Sequence, residues 1–210
     1  MKKEDALEII LNSFNIYKKE YVNKEVLFVY ENNTGDIKGF ESKFKMGNFK
    51  HLTGVESKHE GENFYKKLDR NQLSINDFEY NYEGTTIKKL NVINNLRDLI
   101  YKPYIIGPAK HDLLSINSSK IDIVTGNSKK LTVGFNLFTS APITLLNKDI
   151  KDSTITSYPI LFTLRKNISS QKYENILFWK NNISKKRLRK IEKQYQVKID
   201  FKKSFDNWEF

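Results

Sequence analysis

SYPILFTLRKN, residues 157–167, is a short apolar run bounded by turn-forming residues, and KIDIVTGN (120–127), LTVGFNLF (131–138) and YENILFWKN (173–181) share its character. Short apolar or alternating segments separated by turn signals are the pattern of antiparallel strands. They follow a more helical first half. The expectation is therefore an α+β fold, with N-terminal helices followed by an antiparallel β-sheet of about four or more strands and a basic C-terminal helix.

Toward the N-terminus, EDALEIILNSFNIYKKEY (4–21) places Ala6, Ile10, Phe14, Tyr17 and Tyr21 at helical spacing. Glu4 and Asp5 occupy its first turn, where the helix dipole favours anions. EVLFVY (25–30) reads as a strand and ENNTGDIKG (31–39) as the turn after it. In FESKFKMGNFKHL (40–52), Phe40, Ser42, Phe44 and Met46 alternate with Glu41, Lys43 and Lys45, so a hairpin is expected whose second strand ends at His51. EGENFYKKLDRN (60–71) reads as a short helix. TTIKKLNVINNLRDLI (85–100) reads as a longer one, capped by Thr85 and Thr86, with Ile87, Leu90, Ile93, Leu96 and Ile100 inward. Toward the C-terminus, NNISKKRLRKIEKQYQ (181–196) is a basic helix with a narrow stripe of Leu188, Ile191 and Tyr195, and VKIDFKKSF (197–205) alternates as a last strand would.

The chain has 210 residues, 39% hydrophobic and 13% aromatic, enough to build one core. With no cysteine, disulfides, thiolate metal sites and a cysteine nucleophile are excluded. No apolar stretch approaches a membrane span, and MKKEDALEII turns acidic where a signal peptide would turn apolar, so a cytoplasmic protein is expected, or one delivered into a host cell by other machinery. The net charge of +11 favours polyanionic partners, RNA more than DNA. Only five of the 36 basic residues are arginine, however, and such lysine richness also follows from an AT-rich coding sequence. An immunity or host protein is a further conceivable partner; a membrane is not.

The three histidines, His51, His59 and His111, lie in separate segments without metal-ligand spacing, so no metal is expected. No P-loop, dinucleotide-binding glycine motif or nucleophile elbow is present, and no cofactor is implied. RNA cleavage needs none of these. The 2′-hydroxyl is the nucleophile, and the protein supplies a base, an acid and cations for the phosphorane. His51, followed by the Thr53 hydroxyl and Gly54, is the proton-transfer candidate; Lys88 or Lys89 and Arg165 are the candidates at the phosphate. Ser140 and Lys166 are further substrate-binding candidates, as are Lys185, Lys186, Arg187 and Arg189 on the tail helix.

The block FKHLTGV (49–55), followed by ENFYKKL (62–68) and a Thr-Thr-x-Lys-Lys helix, resembles the phage-associated Barnase-EndoU-Colicin-RelE-like nuclease domains, and VGFNLF and PITLLN are compatible with that family's later strands. The resemblance implies a sheet of about four antiparallel strands with helices on one side, and metal-independent ribonuclease activity, often as a toxin. The positions that match are His51, Thr53, Gly54, Tyr65 and the Lys88–Lys89 pair, although Tyr65 fits a core position equally well. Residues 1–210 then form a single domain: a nuclease-like core at about 25–167, an N-terminal helix at 1–24 and a basic extension at 168–210. Two other readings remain: a non-catalytic nucleic-acid- or protein-binding accessory protein, such as a phage inhibitor of host defence, and an ADP-ribosyltransferase, which lacks a convincing glutamate signature.

Overall fold

The computed structural model describes residues 1–113, 115–116, 119–127 and 130–197. The chain runs α1 (Lys3–Glu20), β1 (Lys24–Glu31), β2 (Ile37–Lys43), α2 (Asn48–Thr53), β3 (Val55–Glu56), α3 (Gly61–Asp69), β4 (Glu79–Tyr80), α4 (Thr85–Ile93), α5 (Leu96–Tyr101) and β5 (Ile105–Pro108). It continues through β6 (Ser115–Ile116), β7 (Ser119–Lys120), β8 (Ile123–Gly126), β9 (Leu131–Phe135), β10 (Pro142–Asn147), α6 (Ile150–Ser153), β11 (Tyr158–Asn167), β12 (Asn175–Trp179) and α7 (Lys185–Tyr195). Eight of these strands form one antiparallel sheet in the order β10-β9-β8-β5-β11-β1-β2, with β12 also paired to β11. The fold is α+β, and the segment 157–167 supplies its longest strand. Among the described residues no helix is long and apolar enough to cross a membrane.

Side-chain alternation along β1 gives the sheet two buried faces. Val26 and Phe28 enter the core shared with α1, α2 and α4, while Leu27 and Val29 enter a second cluster with Leu161, Leu164 and Ile191 of α7. On the first face, Ala6, Ile10, Phe14 and Tyr17 of α1 are buried at the expected helical spacing. Phe14 meets Tyr65 edge-on at 4.9 Å, Tyr17 meets Phe49 at 5.0 Å, and Tyr21 meets Phe44 at 4.3 Å. Each ring buried this way contributes roughly 1.5–3 kcal/mol. The Tyr17 hydroxyl donates to Lys45 O at 2.7 Å, tying the helix to the approach of α2.

Three local expectations are corrected. The hairpin β1–β2 forms, but its second strand ends at Lys43, and His51 lies in the helix α2 instead of ending a strand. The register Glu25↔Lys43 is the last pair of that ladder, Phe44 turns into the core, and Asn48 Oδ1 accepts Lys45 N at 2.8 Å to close the turn into α2. The long helix over 85–100 is two helices broken at Asn94–Asn95, and Ile87 is 37% exposed where an inward side chain was expected. Thr85 and Thr86 do not cap: the cap position is Gly84, with φ 70°, and Thr86 is buried. The expected strand over 197–205 lies outside the described residues beyond Val197.

The basic helix forms as α7. Ile191 is buried while Lys185, Lys186, Arg187 and Arg189 are exposed. Its attachment needs Gly39, where a Cβ would sit 2.5 Å from Tyr195 Oη.

Candidate active site

α2 is positioned by Phe49 and Leu52, both fully buried. Helical geometry therefore turns His51 outward, to the wall of a surface hollow. This hollow, about 420 Å³, is walled by α2, α4 and β10 and includes Lys50, His51, Gly54, Glu56, Lys89 and Thr144. A second hollow of about 350 Å³ adjoins it and adds Lys88. The structure thus brings together His51 and Lys89, while Lys88 lines only the adjoining hollow.

The segment HLTG and the helix start TTIKK are in direct contact. Thr53 Oγ1 donates to Lys50 O at 2.7 Å, and Gly54 (φ +71°) closes α2 in the left-handed region. Gly54 O accepts Thr86 Oγ1 at 2.5 Å, and the same hydroxyl accepts Asn81 N at 2.9 Å. Lys89 then crosses Gly54, its Cδ 2.7 Å from where a Cβ would stand, and gives one ammonium N–H to His51 O at 2.8 Å. A side chain at position 54 would push Lys89 off this path. Two N–H groups of Lys89 remain for oxygens entering the cleft.

Burial lowers the Lys89 pKa from 10.5 to about 8. His51 is lowered from 6.5, first by desolvation, then by the nearby Lys89 and Lys50 cations, with Glu60 opposing. The site therefore holds an imidazole that is neutral at pH 7 beside an ammonium that releases its proton more readily than an ordinary lysine.

The remaining predicted residues lie elsewhere or serve the core. Thr53 is buried and its hydroxyl is used within α2. Tyr65 is 4% exposed and packs on Phe14. Ser140 (φ 57°) forms the turn between β9 and β10, its carbonyl accepting Lys43 N at 2.8 Å. Arg165 is paired with buried Glu20, which also accepts Tyr101 Oη at 3.1 Å; it lines neither hollow. Lys166 pairs with Glu25 at 2.9 Å and lies over the Tyr173 ring. On α7, Arg187 pairs with Glu31 at 2.7 Å, and the whole helix packs on the sheet face opposite α2, so Lys185, Lys186 and Arg189 face away from the cleft.

Several residues at the site are not conspicuous in the sequence. Lys50 is bound to Ser57 O at 2.9 Å and His59 O at 2.8 Å, shaping the loop after α2. Asn81 Nδ2 donates to Glu56 Oε1 at 2.9 Å, setting a carboxylate at the cleft rim, and Thr144 arrives from β10. Their only sequence signal is local: Asn81 precedes the turn into α4, and Thr144 is a polar break in PITLLN. His59 belongs to another network, with Nε2 2.9 Å from Asp77 Oδ1, which also accepts Lys67 Nζ at 2.8 Å. Among the described residues no three His, Asp or Glu side chains are grouped to hold a metal ion.

The family model described as phage-Barnase-EndoU-ColicinE5/D-RelE like nuclease4 matches residues 9–182, which include the cleft and all eight strands of the large sheet. No curated protein and no solved structure matches the chain.

Proposed function

Because the chain belongs to the phage-Barnase-EndoU-ColicinE5/D-RelE like nuclease4 family, and its function is accordingly nuclease-like, we propose that it is a metal-independent endoribonuclease of a phage or mobile element, cutting RNA through the 2′-hydroxyl in a toxin or host-takeover role. The observation that carries this reading is that His51 and Lys89 line one cleft, an imidazole whose lowered pKa keeps it neutral at pH 7 and a buried ammonium whose pKa is lowered to about 8. Perturbed titratable groups converging in a cleft are what proton-transfer chemistry requires.

In this mechanism the neutral His51 imidazole takes the proton of the 2′-hydroxyl as that oxygen attacks the adjacent phosphorus. The bond from phosphorus to the 5′-oxygen breaks, and Lys89 delivers a proton to the departing oxygen while its charge balances the phosphorane. The products are a 2′,3′-cyclic phosphate and a free 5′-hydroxyl. Solvent then returns each group to its starting state. Lys88, exposed at the adjoining hollow, attracts the flanking backbone.

The test is incubation of the full chain with end-labelled RNA in EDTA. Cyclic-phosphate ends should form, and His51→Ala should reduce their rate by about 10²–10⁴-fold, the usual size of a proton-transfer contribution. A cut that persists undiminished in that variant refutes the assignment. One observation favours the alternative of a non-catalytic nucleic-acid- or protein-binding accessory protein: the cations of α7 face away from the cleft. Salt-dependent RNA binding by α7 with no cutting would establish that alternative.

A further inference from the structure

The mechanism above uses the hollow at His51 and, of the adjoining one, only the charge of Lys88. That second hollow is bounded by α4 and residues 144–148, and it shares Asn81, Thr85, Lys89 and Thr144 with the first, so the two form one continuous groove. Its size, about 350 Å³, is that of a pocket for one small ligand. The chemistry changes along its length. Leu146 of β10, only partly buried, offers an apolar floor, Glu83 and Asn147 offer hydrogen-bonding groups, and Lys88 and Lys148 are exposed cations. Neither lysine has an ion-pair partner among the described residues, unlike Lys43, Lys67 and Lys166. Among the described residues β10 is also the terminal strand of the sheet, with one of its edges unpaired by any described strand.

An apolar floor for a base, polar groups at its rim and unpaired cations beside it match one nucleotide of an RNA strand. Resting on the endoribonuclease reading, we propose that this hollow is the subsite for the nucleotide one step beyond the two that the cleaved phosphodiester joins, a position a dinucleotide does not reach. Asn147 meets its base edge, and Lys88 and Lys148 meet its phosphate. Asn147 and Lys148 are then positioning residues: they act on which RNA is held and for how long, and proton transfer at His51 proceeds without them.

The test compares wild type with the double variant Asn147→Ala/Lys148→Ala on two substrates, a dinucleotide with one cleavable bond and a hexanucleotide that fills the groove. Loss of two such contacts should lower kcat/KM for the hexanucleotide about tenfold or more through KM, and leave the dinucleotide unchanged. Binding of a 2′-O-methyl hexanucleotide, which cannot be cut, should weaken by the same factor in fluorescence anisotropy. Equal losses on both substrates, or no loss of hexanucleotide binding, would overturn the subsite. If wild type cuts neither substrate yet binds the uncuttable strand through Asn147 and Lys148, the groove stands as an RNA track and the endoribonuclease reading falls.

Discussion

Lys89→Met tests the site through its energetics. Methionine keeps the unbranched path across Gly54 and removes the ammonium that burial opposes. A pKa lowered from 10.5 to about 8 is a cost of roughly 3.5 kcal/mol at most, at about 1.4 kcal/mol per unit. Screening by solvent at the open cleft reduces this to about 1–2 kcal/mol. Losing the bond to His51 O, whose carbonyl is rehydrated, gives back about 0.5–1 kcal/mol. At pH 7 the variant should therefore be as stable as wild type, or up to about 1 kcal/mol more so, while RNA cleavage drops about 100-fold or more. The sign with pH follows from the same shift. The unfolded chain holds the Lys89 proton more tightly, so wild type recovers stability relative to the variant as pH rises from about 8 toward 10.5. Urea melts of both proteins at pH 7 and near pH 10 measure that difference. A variant less stable by more than 1 kcal/mol at pH 7, with a gap that does not change with pH, would refute a desolvated cation at this position.

Gly54→Ala should cost about 1–2 kcal/mol from its φ of +71°, and cleavage should fall further than unfolding explains because the new Cβ displaces Lys89; combined with Lys89→Ala, the stability losses should be less than additive in denaturant melts. Asp77→Asn should cost about 2–3 kcal/mol, since the carboxylate accepts from Lys67, Ser74 N and Ser74 Oγ at 2.8–2.9 Å and has His59 Nε2 at 2.9 Å. Those bonds, Lys67 and His59 first, hold its pKa well below the ordinary 3.8, so the stabilisation is present above that pH and lost as pH falls through the lowered value; acid unfolding below pH 4 should be steeper in wild type than in the variant. Arg165→Leu takes the close cation from buried Glu20, leaving it Arg97 Nε at 3.9 Å and Tyr101 Oη at 3.1 Å, and should cost about 2–3 kcal/mol in thermal or urea melts, with cleavage per folded molecule unchanged; a loss of cleavage without a loss of stability would return Arg165 to the site.

The fold was largely legible because its strands and α1 carry clean periodicities. Ala6, Ile10, Phe14 and Tyr17 can be buried together only as a helix, and the apolar runs of β8, β9, β11 and β12 are too short and too well punctuated for anything but strands. The region around His51 was misread because Phe40, Ser42, Phe44 and Met46 continue the period of two past the point where β1 ends and leaves no partner. The competing spacing of three between Phe49 and Leu52 was present but spans a single turn. At the site, the sequence singled out His51 and the Lys88–Lys89 pair. What it could not convey was which lysine turns inward, a choice made by Gly54 leaving room for Lys89 and by Thr86 docking on the Gly54 carbonyl. Arg165 is a candidate because arginine is scarce in this chain and its guanidinium fork fits a phosphate. Scarcity says nothing of pairing, and Glu20 lies 145 residues away in the chain.

That β10 walls the cleft has a consequence for biosynthesis. α2 and α4 can meet once residue 93 has been made, but Thr144 is 51 residues beyond Ile93, and chain elongation at roughly 5–20 residues per second leaves an interval of about 3–10 s. During that interval His51 and Lys89 face open solvent on the side that β10 later walls. The cleft of a nascent chain therefore stays incomplete until the far strand of the sheet has been synthesised and docked.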